Sequence, residues 1–142
     1  FVLVGIDTAQ PGPAVLEAIS SADVVLLPPS NPVVSIGTIL QVPGIADAVR
    51  STLAPVVAVS PIVGGAPVRG MADACLTAIG VETSALGVAA HYGARSRGGL
   101  IDAWLVDDAD SDDDFVVDEA TQEAAEQRMA DEIEYRRDMG IS

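Results

Sequence analysis

At 142 residues the chain is long enough for one domain with a real core and too short to expect two. Hydrophobic residues make up 49% of it and aromatics only 4%, so Val, Ile, Leu and Ala must fill the interior, which suits a buried parallel sheet. The net charge of −14 is uneven: residues 1–106 hold seven acids and four arginines, net −3, and residues 107–142 hold fourteen acids and three arginines, net −11, which argues against a partner with a nucleic acid backbone.

In chain order, residues 1–6 form a continuous apolar run that reads as a strand, and we expect the chain to start partway through a longer polypeptide because Phe1 lies inside that run. A break at 7–13 leads to a helix over 14–20 and a second strand over 23–27. Pro43 sits near the first turn of a helix through Arg50, where its missing N–H costs nothing, and Pro55 opens a third strand over 56–59. Residues 71–79 read as a helix closed by Gly80 in the left-handed cap position, with Met71, Cys75 and Ile79 on its apolar face. Ser84 caps a further helix through His91 that Gly93 ends, and a fourth strand covers 100–106. Alternation of this kind predicts an α/β fold: a Rossmann-like parallel sheet with helices on both faces, the carboxyl-terminal part of a larger domain.

The composition divides the chain into an α/β core at 1–106, an acidic linker at 107–118 and a charged helix at 119–142. The linker lacks the glycine and glutamate that a calcium-binding loop needs at its sixth and twelfth positions. The helix has a narrow apolar stripe of Ala125, Met129 and Ile133, so it is either loosely docked or an arm for a partner. The single Cys75 excludes an intrachain disulfide. No apolar run approaches the roughly 20 residues of a membrane span, and the expectation is a cytoplasmic protein without a membrane or nucleic acid partner.

Two strand-like runs empty into loops of small residues, and ligands of open α/β sheets bind just past the carboxyl ends of the strands. The first loop, 28–37, contains Ser30, Asn31, Ser35, Ile36 and Gly37. If a helix starts there, Ser35, Ile36 and Gly37 offer backbone N–H groups to a phosphate or carboxylate, and the Asn31 amide can meet a base edge or a sugar hydroxyl. A plain strand-to-helix turn, with Asn and Ser serving as caps, explains the same residues. In the second loop, 60–71, Gly64 and Gly65 permit close approach of backbone to ligand, and the Arg69 fork suits a phosphate. The alternative for Arg69 is an ion pair with Asp73. Arg95 and Arg97 either add positive charge near a phosphate or are solvated, Asp102 and Asp107 flank the last strand within reach of a metal, and His91 reads as a cap or surface group. Neither loop is a P-loop, and no G-x-G-x-x-G is present.

The stretch from Pro29 to Gly37, the stretch from Val57 to Gly70 with its Gly-Gly-Ala-Pro-Val-Arg-Gly, and downstream Gly80-Val81-Glu82 and Trp104-Leu105-Val106-Asp107 together resemble the 2-phospho-L-lactate transferase family of deazaflavin (coenzyme F-420) biosynthesis. The resemblance runs from about Gly5 to Asp110 and is nearest to the actinobacterial or haloarchaeal branches. It implies a Rossmann-like transferase that moves a 2-phospholactyl or phosphoenolpyruvyl group from a guanosine diphosphate-linked donor to the deazaflavin Fo, releasing GMP with the help of Mg2+. Ser30, Asn31, Ser35, Ile36 and Gly37 would then hold the guanosine nucleotide, and Gly64, Gly65 and Arg69 the phosphate side of the cleft. The family's amino-terminal half, with its glycine-rich first loop and its acidic residues near metal and acceptor, has no counterpart here, so the expectation is a donor-binding part that works as a homo-oligomer or with a complementing chain. The alternatives are a non-catalytic nucleotide- or nucleotide-sugar-binding regulator, and an interaction module built around the acidic helix.

Overall fold

The computed structural model describes residues 2–111. The expected helix over 119–142 and the remainder of the acidic linker lie outside the described residues. In chain order the elements are α1 (Val15–Ser20), β1 (Val25–Leu27), a π-type turn (Pro32–Ile36) running into α2 (Gly37–Gln41), α3 (Ile45–Ser51), β2 (Val56–Val59), the paired β3 (Ile62–Val63) and β4 (Ala66–Pro67), α4 (Ala72–Ala78), α5 (Ala85–Tyr92) and β5 (Ala103–Leu105). β1, β2 and β5 form one parallel sheet in that order, so the fold is α/β, a parallel sheet with helices around it.

Register and alternation decide which side chains enter the core. Leu27 lies opposite Ala58, and Ala58 opposite Trp104. These three, with Val25 and Val56 two residues back on their strands, share a face. That face packs with Ile36, with Ile45 and Val49 of α3, with Ala72 and Leu76 of α4, and with Val88 and Tyr92 of α5. Tyr92 meets Trp104 edge to face at 6.0 Å, the arrangement that aromatic quadrupoles favour. On the opposite face Leu26 and Leu105 are exposed.

The helices end where local chemistry stops them. Ser84 Oγ accepts from Gly87 N–H at 2.9 Å as the N-cap of α5. Gly93 ends that helix at φ 71° and lies so close to Gly99 that a Cβ on Gly99 would sit 2.2 Å from the Gly93 backbone. Gly80 follows α4 at φ 73°, as expected.

A polar tie fastens the amino-terminal ends of the strands. Arg95 Nε donates to Asp102 Oδ1 at 3.0 Å and its Nη2 lies 2.7 Å from Oδ2, a bidentate pair. Arg95 Nη1 donates to the carbonyls of Thr52 and Ala54 at 3.0 and 3.1 Å. Asp102 Oδ2 also accepts from Val56 N–H at 2.8 Å, and Thr52 Oγ1 donates to Ile19 O at 3.0 Å. The ends of α1 and α3 and the starts of β2 and β5 are thereby joined. Arg95 is consumed here rather than free for a phosphate, and Asp102 is an ion-pair partner rather than a metal ligand.

Three further expectations are corrected. Residues 2–6, the described part of that run, are not a strand: Val2 and Val4 are 84% and 96% exposed, Gly5 turns the chain at φ 80°, and Ile6–Thr8 is a 3-10 turn. An extended run needs a hydrogen-bonded neighbour, and among the described residues it has none. α4 begins one residue later than expected, with Met71 as its non-helical N-cap. The buried pair is therefore Ala72 and Leu76, while Met71 and Ile79 are exposed and Cys75 is half-buried. The fourth strand covers only Ala103–Leu105, because Ile101 bridges to Ala94 instead.

Two outcomes follow for stability. Asp102→Ala leaves a largely buried guanidinium and the Val56 N–H without their partner and should cost about 3 kcal/mol in urea denaturation. Burial raises the Tyr92 phenol above its ordinary value of about 10, so the native state holds that proton more tightly than the unfolded chain. Its contribution is intact below pH about 10 and falls as pH rises beyond that. Tyr92→Phe should remove this alkaline decline when unfolding free energy is followed against pH by circular dichroism.

Candidate functional site

β1, β2 and β5 run in the same direction, so the segments leaving Leu27, Val59 and Leu105 emerge at one edge of the sheet. This is the edge where open α/β sheets bind ligands. The π-type turn of the first segment packs against α4, the helix that the second segment runs into. The two loops singled out in the sequence are thus joined through one helix.

The first loop is built around Asn31. Its φ and ψ of −55° and 119° place it outside the helix, as expected for a residue before proline. Its Oδ1 accepts from Val33 N–H at 2.9 Å and Val34 N–H at 3.1 Å. Pro32 has no N–H, and the N–H groups of Ser35 and Ile36 both donate to Asn31 O at 3.1 and 3.0 Å. Gly37 N–H donates to Pro32 O. The orphan donors of the helix start are therefore satisfied within the turn, and the backbone N–H groups of Ser35, Ile36 and Gly37 are already paired in this structure. Ile36, 5% exposed, belongs to the core. Gly37 is there for space, since a Cβ would come within 2.8 Å of Pro32 O. What the loop keeps for a ligand is side-chain chemistry. The hydroxyls of Ser30 and Ser35 and the amide N–H groups of Asn31 are half-buried in place, with no hydrogen bond among the described residues.

The second loop is a hairpin, which sequence reasoning missed. Ser60, 4% exposed, anchors it: its N–H donates to Leu105 O at 2.8 Å, its Oγ donates to Ile62 O at 2.7 Å, and Oγ accepts from Ile62 N–H at 3.2 Å. Gly64 and Gly65 form the two-residue turn at φ 57° and 77°, the left-handed pair that a tight hairpin requires. Nothing lies within 4 Å of a Cβ built on either, so the tip is open to a ligand. The alternation of Ile-Val and Ala-Pro around Gly-Gly was the available signal.

Arg69 is exposed and forms no ion pair among the described residues. The alternative pairing with Asp73 does not occur, because α4 starts only at Ala72 and the two residues do not share a helical turn. From the third segment, Asp110 reaches back so that both carboxylate oxygens accept from Gly64 N–H, at 3.0 and 3.1 Å. Asp107 caps the short Asp108–Asp110 turn through Ala109 N–H. The first residues of the acidic run are therefore fastened to the site edge, although an Asp-rich stretch reads as solvated linker. His91 is exposed. A shallow pocket of about 310 Å³ lined by Gln10, Pro11, Gly12, Ala14, Leu16 and Glu17 contains none of the expected site residues. Among the described residues no three His, Cys, Asp or Glu groups converge as a metal site, and no single helix is long and apolar enough to cross a membrane.

Comparison with known proteins adds a family to this geometry. Residues 2–142 match the family described as 2-phospho-L-lactate transferase CofD. The chain is 67% identical over 112 residues to a phosphoenolpyruvate transferase of Thermobifida fusca, covering 79% of this chain and 33% of that protein. It is 64% identical over 110 residues to one of Kitasatospora aureofaciens, covering 78% and 33%. With one of Mycolicibacterium smegmatis the identity is 59% over 110 residues, covering 78% and 34%. The chain thus spans about a third of the length of these relatives.

The two duties of the Asn31 side chain are separable. Asn31→Ala should lower unfolding free energy by about 1 kcal/mol through loss of the cap. Asn31→Asp keeps the accepting oxygen and should stay within a few tenths of a kcal/mol of the parent in the same urea titration.

Proposed function

The chain belongs to the 2-phospho-L-lactate transferase CofD family, and from that membership we propose that it forms the donor-binding wall of a transferase that moves a phosphoenolpyruvyl or 2-phospholactyl group from a guanosine diphosphate-linked donor to the deazaflavin Fo in the cytoplasm. The observation that carries this reading is the edge itself. Side-chain donors at Ser30, Asn31 and Ser35 and the Arg69 guanidinium, all without a partner among the described residues, leave the same end of the parallel sheet, on loops connected through α4.

In the reaction so read, the acceptor hydroxyl oxygen forms a bond to the phosphorus that carries the three-carbon acid. The bond from that phosphorus to the bridging oxygen breaks, GMP leaves with the electron pair, and the hydroxyl proton passes to a base. Catalysis of this kind is mostly positioning and charge stabilisation. Ser30, Asn31 and Ser35 hydrogen-bond the guanosine portion, and Arg69 holds the diphosphate, where its fork offers two parallel donors. The Gly64–Gly65 tip lets the phosphates come near the backbone at Gly65, since Gly64 N–H is taken by the Asp110 carboxylate. Ile36 and Gly37 shape the loop from behind and donate nothing. The Mg2+ implied by the resemblance finds no cluster of ligands among the described residues, and no step here depends on it.

Calorimetric titration of the chain with guanosine diphosphate tests the reading. Arg69→Ala should weaken binding about tenfold or more, as expected for a lost charge-assisted pair. Equal affinity would overturn the role of Arg69, and no binding by the parent chain would overturn the donor assignment.

A further inference from the structure

Beyond Leu105 the described chain is tied back at one point. Ser60 N–H makes the last backbone bond of that strand end, to Leu105 O at 2.8 Å. Residues 106–109 are exposed, and the turn that follows closes on itself. Asp107 Oδ1 accepts from Ala109 N–H at 3.0 Å, Asp107 O from Asp110 N–H at 2.9 Å, and Asp108 O from the Ser111 hydroxyl at 2.7 Å. Among the described residues, the hydrogen bond from Gly64 N–H to the Asp110 carboxylate is the only one between residues 106–111 and the rest of the molecule.

The other side-chain ties at this edge are local and build their own loops: Asn31 holds Val33 and Val34, and Ser60 holds Ile62. Asp110 comes from 46 residues away. The hairpin's turn is already fixed by the pairing of Val63 with Ala66 and by two left-handed glycines, so the carboxylate adds an anion to the tip rather than a shape. Its fastening is slight. Both oxygens share a single N–H at the exposed surface, and among the described residues no cation pairs with them, a kind of contact that contributes little. The tip on which it rests is open, with nothing within 4 Å of a Cβ built on Gly64 or Gly65, and Arg69 follows on the same loop.

We propose that Asp110 is a displaceable latch on the phosphate side of the site: its carboxylate takes the Gly64 N–H that an oxyanion of the ligand would otherwise receive, and a diphosphate group displaces it on binding. One N–H cannot serve two anions side by side, and like charges brought together there repel. Displacement breaks the one hydrogen bond that ties the 106–111 turn back. That turn opens the acidic portion of the chain, net −11 over residues 107–142. Anion binding and release of the turn are therefore one equilibrium, and each opposes the other by the same factor. The ligand class rests on the phosphate reading of this edge, but the latch needs no base, so inorganic pyrophosphate is the probe.

The full chain, isotopically labelled, is titrated with pyrophosphate and followed by NMR at about 0.15 M salt, where exposed charges more than about 8 Å apart are largely screened. The Gly64 amide and the Asp110 carboxyl carbon should shift together with one midpoint. Asp110→Ala should tighten pyrophosphate binding about fivefold, the factor that an exposed charged contact contributes. Asp110→Asn, which keeps an acceptor without the charge, should give a smaller gain. Asp108→Ala removes the same charge from the same turn without touching Gly64, and should change affinity less than about twofold. The latch is overturned by an Asp110 carboxyl carbon that stays in place at saturation, by unchanged or weaker affinity in Asp110→Ala, or by an equal gain in Asp108→Ala. Arg69→Ala reports on the phosphate reading separately. Affinity lost there with none gained in Asp110→Ala keeps the phosphate site and removes the latch. A gain in Asp110→Ala with Arg69→Ala unchanged keeps the latch and removes the role of Arg69, and no binding by any variant removes both.

Discussion

The arrangement of the whole sheet depends on the charge-paired fork of Arg95 on Asp102. A three-stranded sheet of strands three or four residues long has few ladder hydrogen bonds, and strands joined by long crossovers gain nothing from being neighbours in sequence. Arg95 closes that gap by contacting carbonyls before β2 and the carboxylate before β5, while Asp102 returns a bond to the first amide of β2. Side-chain exposures of 20% and 14% for the two partners place the pair where water competes little. An ion pair there is costly to desolvate, and its geometry repays the cost by occupying nearly every donor and acceptor.

The polar ties divide by end of the sheet. At the amino-terminal ends of the strands, donors and acceptors are used up among themselves, which fixes β2 against β5. At the carboxyl-terminal ends, the backbone is equally well satisfied by Asn31, Ser60 and Asp110, while hydroxyls, an amide and a guanidinium have no partner among the described residues. A rigid backbone with unspent side chains is the condition under which a site is organised before its ligand arrives. Such a division also explains why two arginines of one sequence have unrelated duties: Arg95 is held by the frame, and Arg69 has no ion pair among the described residues.

Much of this was legible in the sequence. Continuous apolar runs before Pro-, Ser- and Gly-rich loops marked β1 and β2, the cap at Ser84 and the stops at Gly80 and Gly93 were readable from residue type, and the two loops do leave the carboxyl-terminal ends of parallel strands. What was not legible depends on pairing across distance. The run at 1–6 has the composition of a strand, but composition cannot supply a neighbouring strand. Ser35, Ile36 and Gly37 suggested free amides because a normal helix start leaves them free, and the π-type turn bends them back onto Asn31 and Pro32. Asp110 was hidden in a charge run, since nothing local says that one aspartate of several will meet Gly64, 46 residues away. Arg95 and Asp102 are seven residues apart and carry opposite charges, yet their shared role appears only once Thr52 and Ala54 are brought beside them.

Trp104 is the only indole in the chain, and its ring stands 6.0 Å from Tyr92 across the contact between β5 and α5. At that separation excitation energy passes from phenol to indole far faster than the phenol emits. Light absorbed by Tyr92 therefore leaves chiefly as tryptophan fluorescence while the helix lies on the sheet. The molecule carries its own optical gauge of whether this one layer is closed, without a dye or an engineered probe.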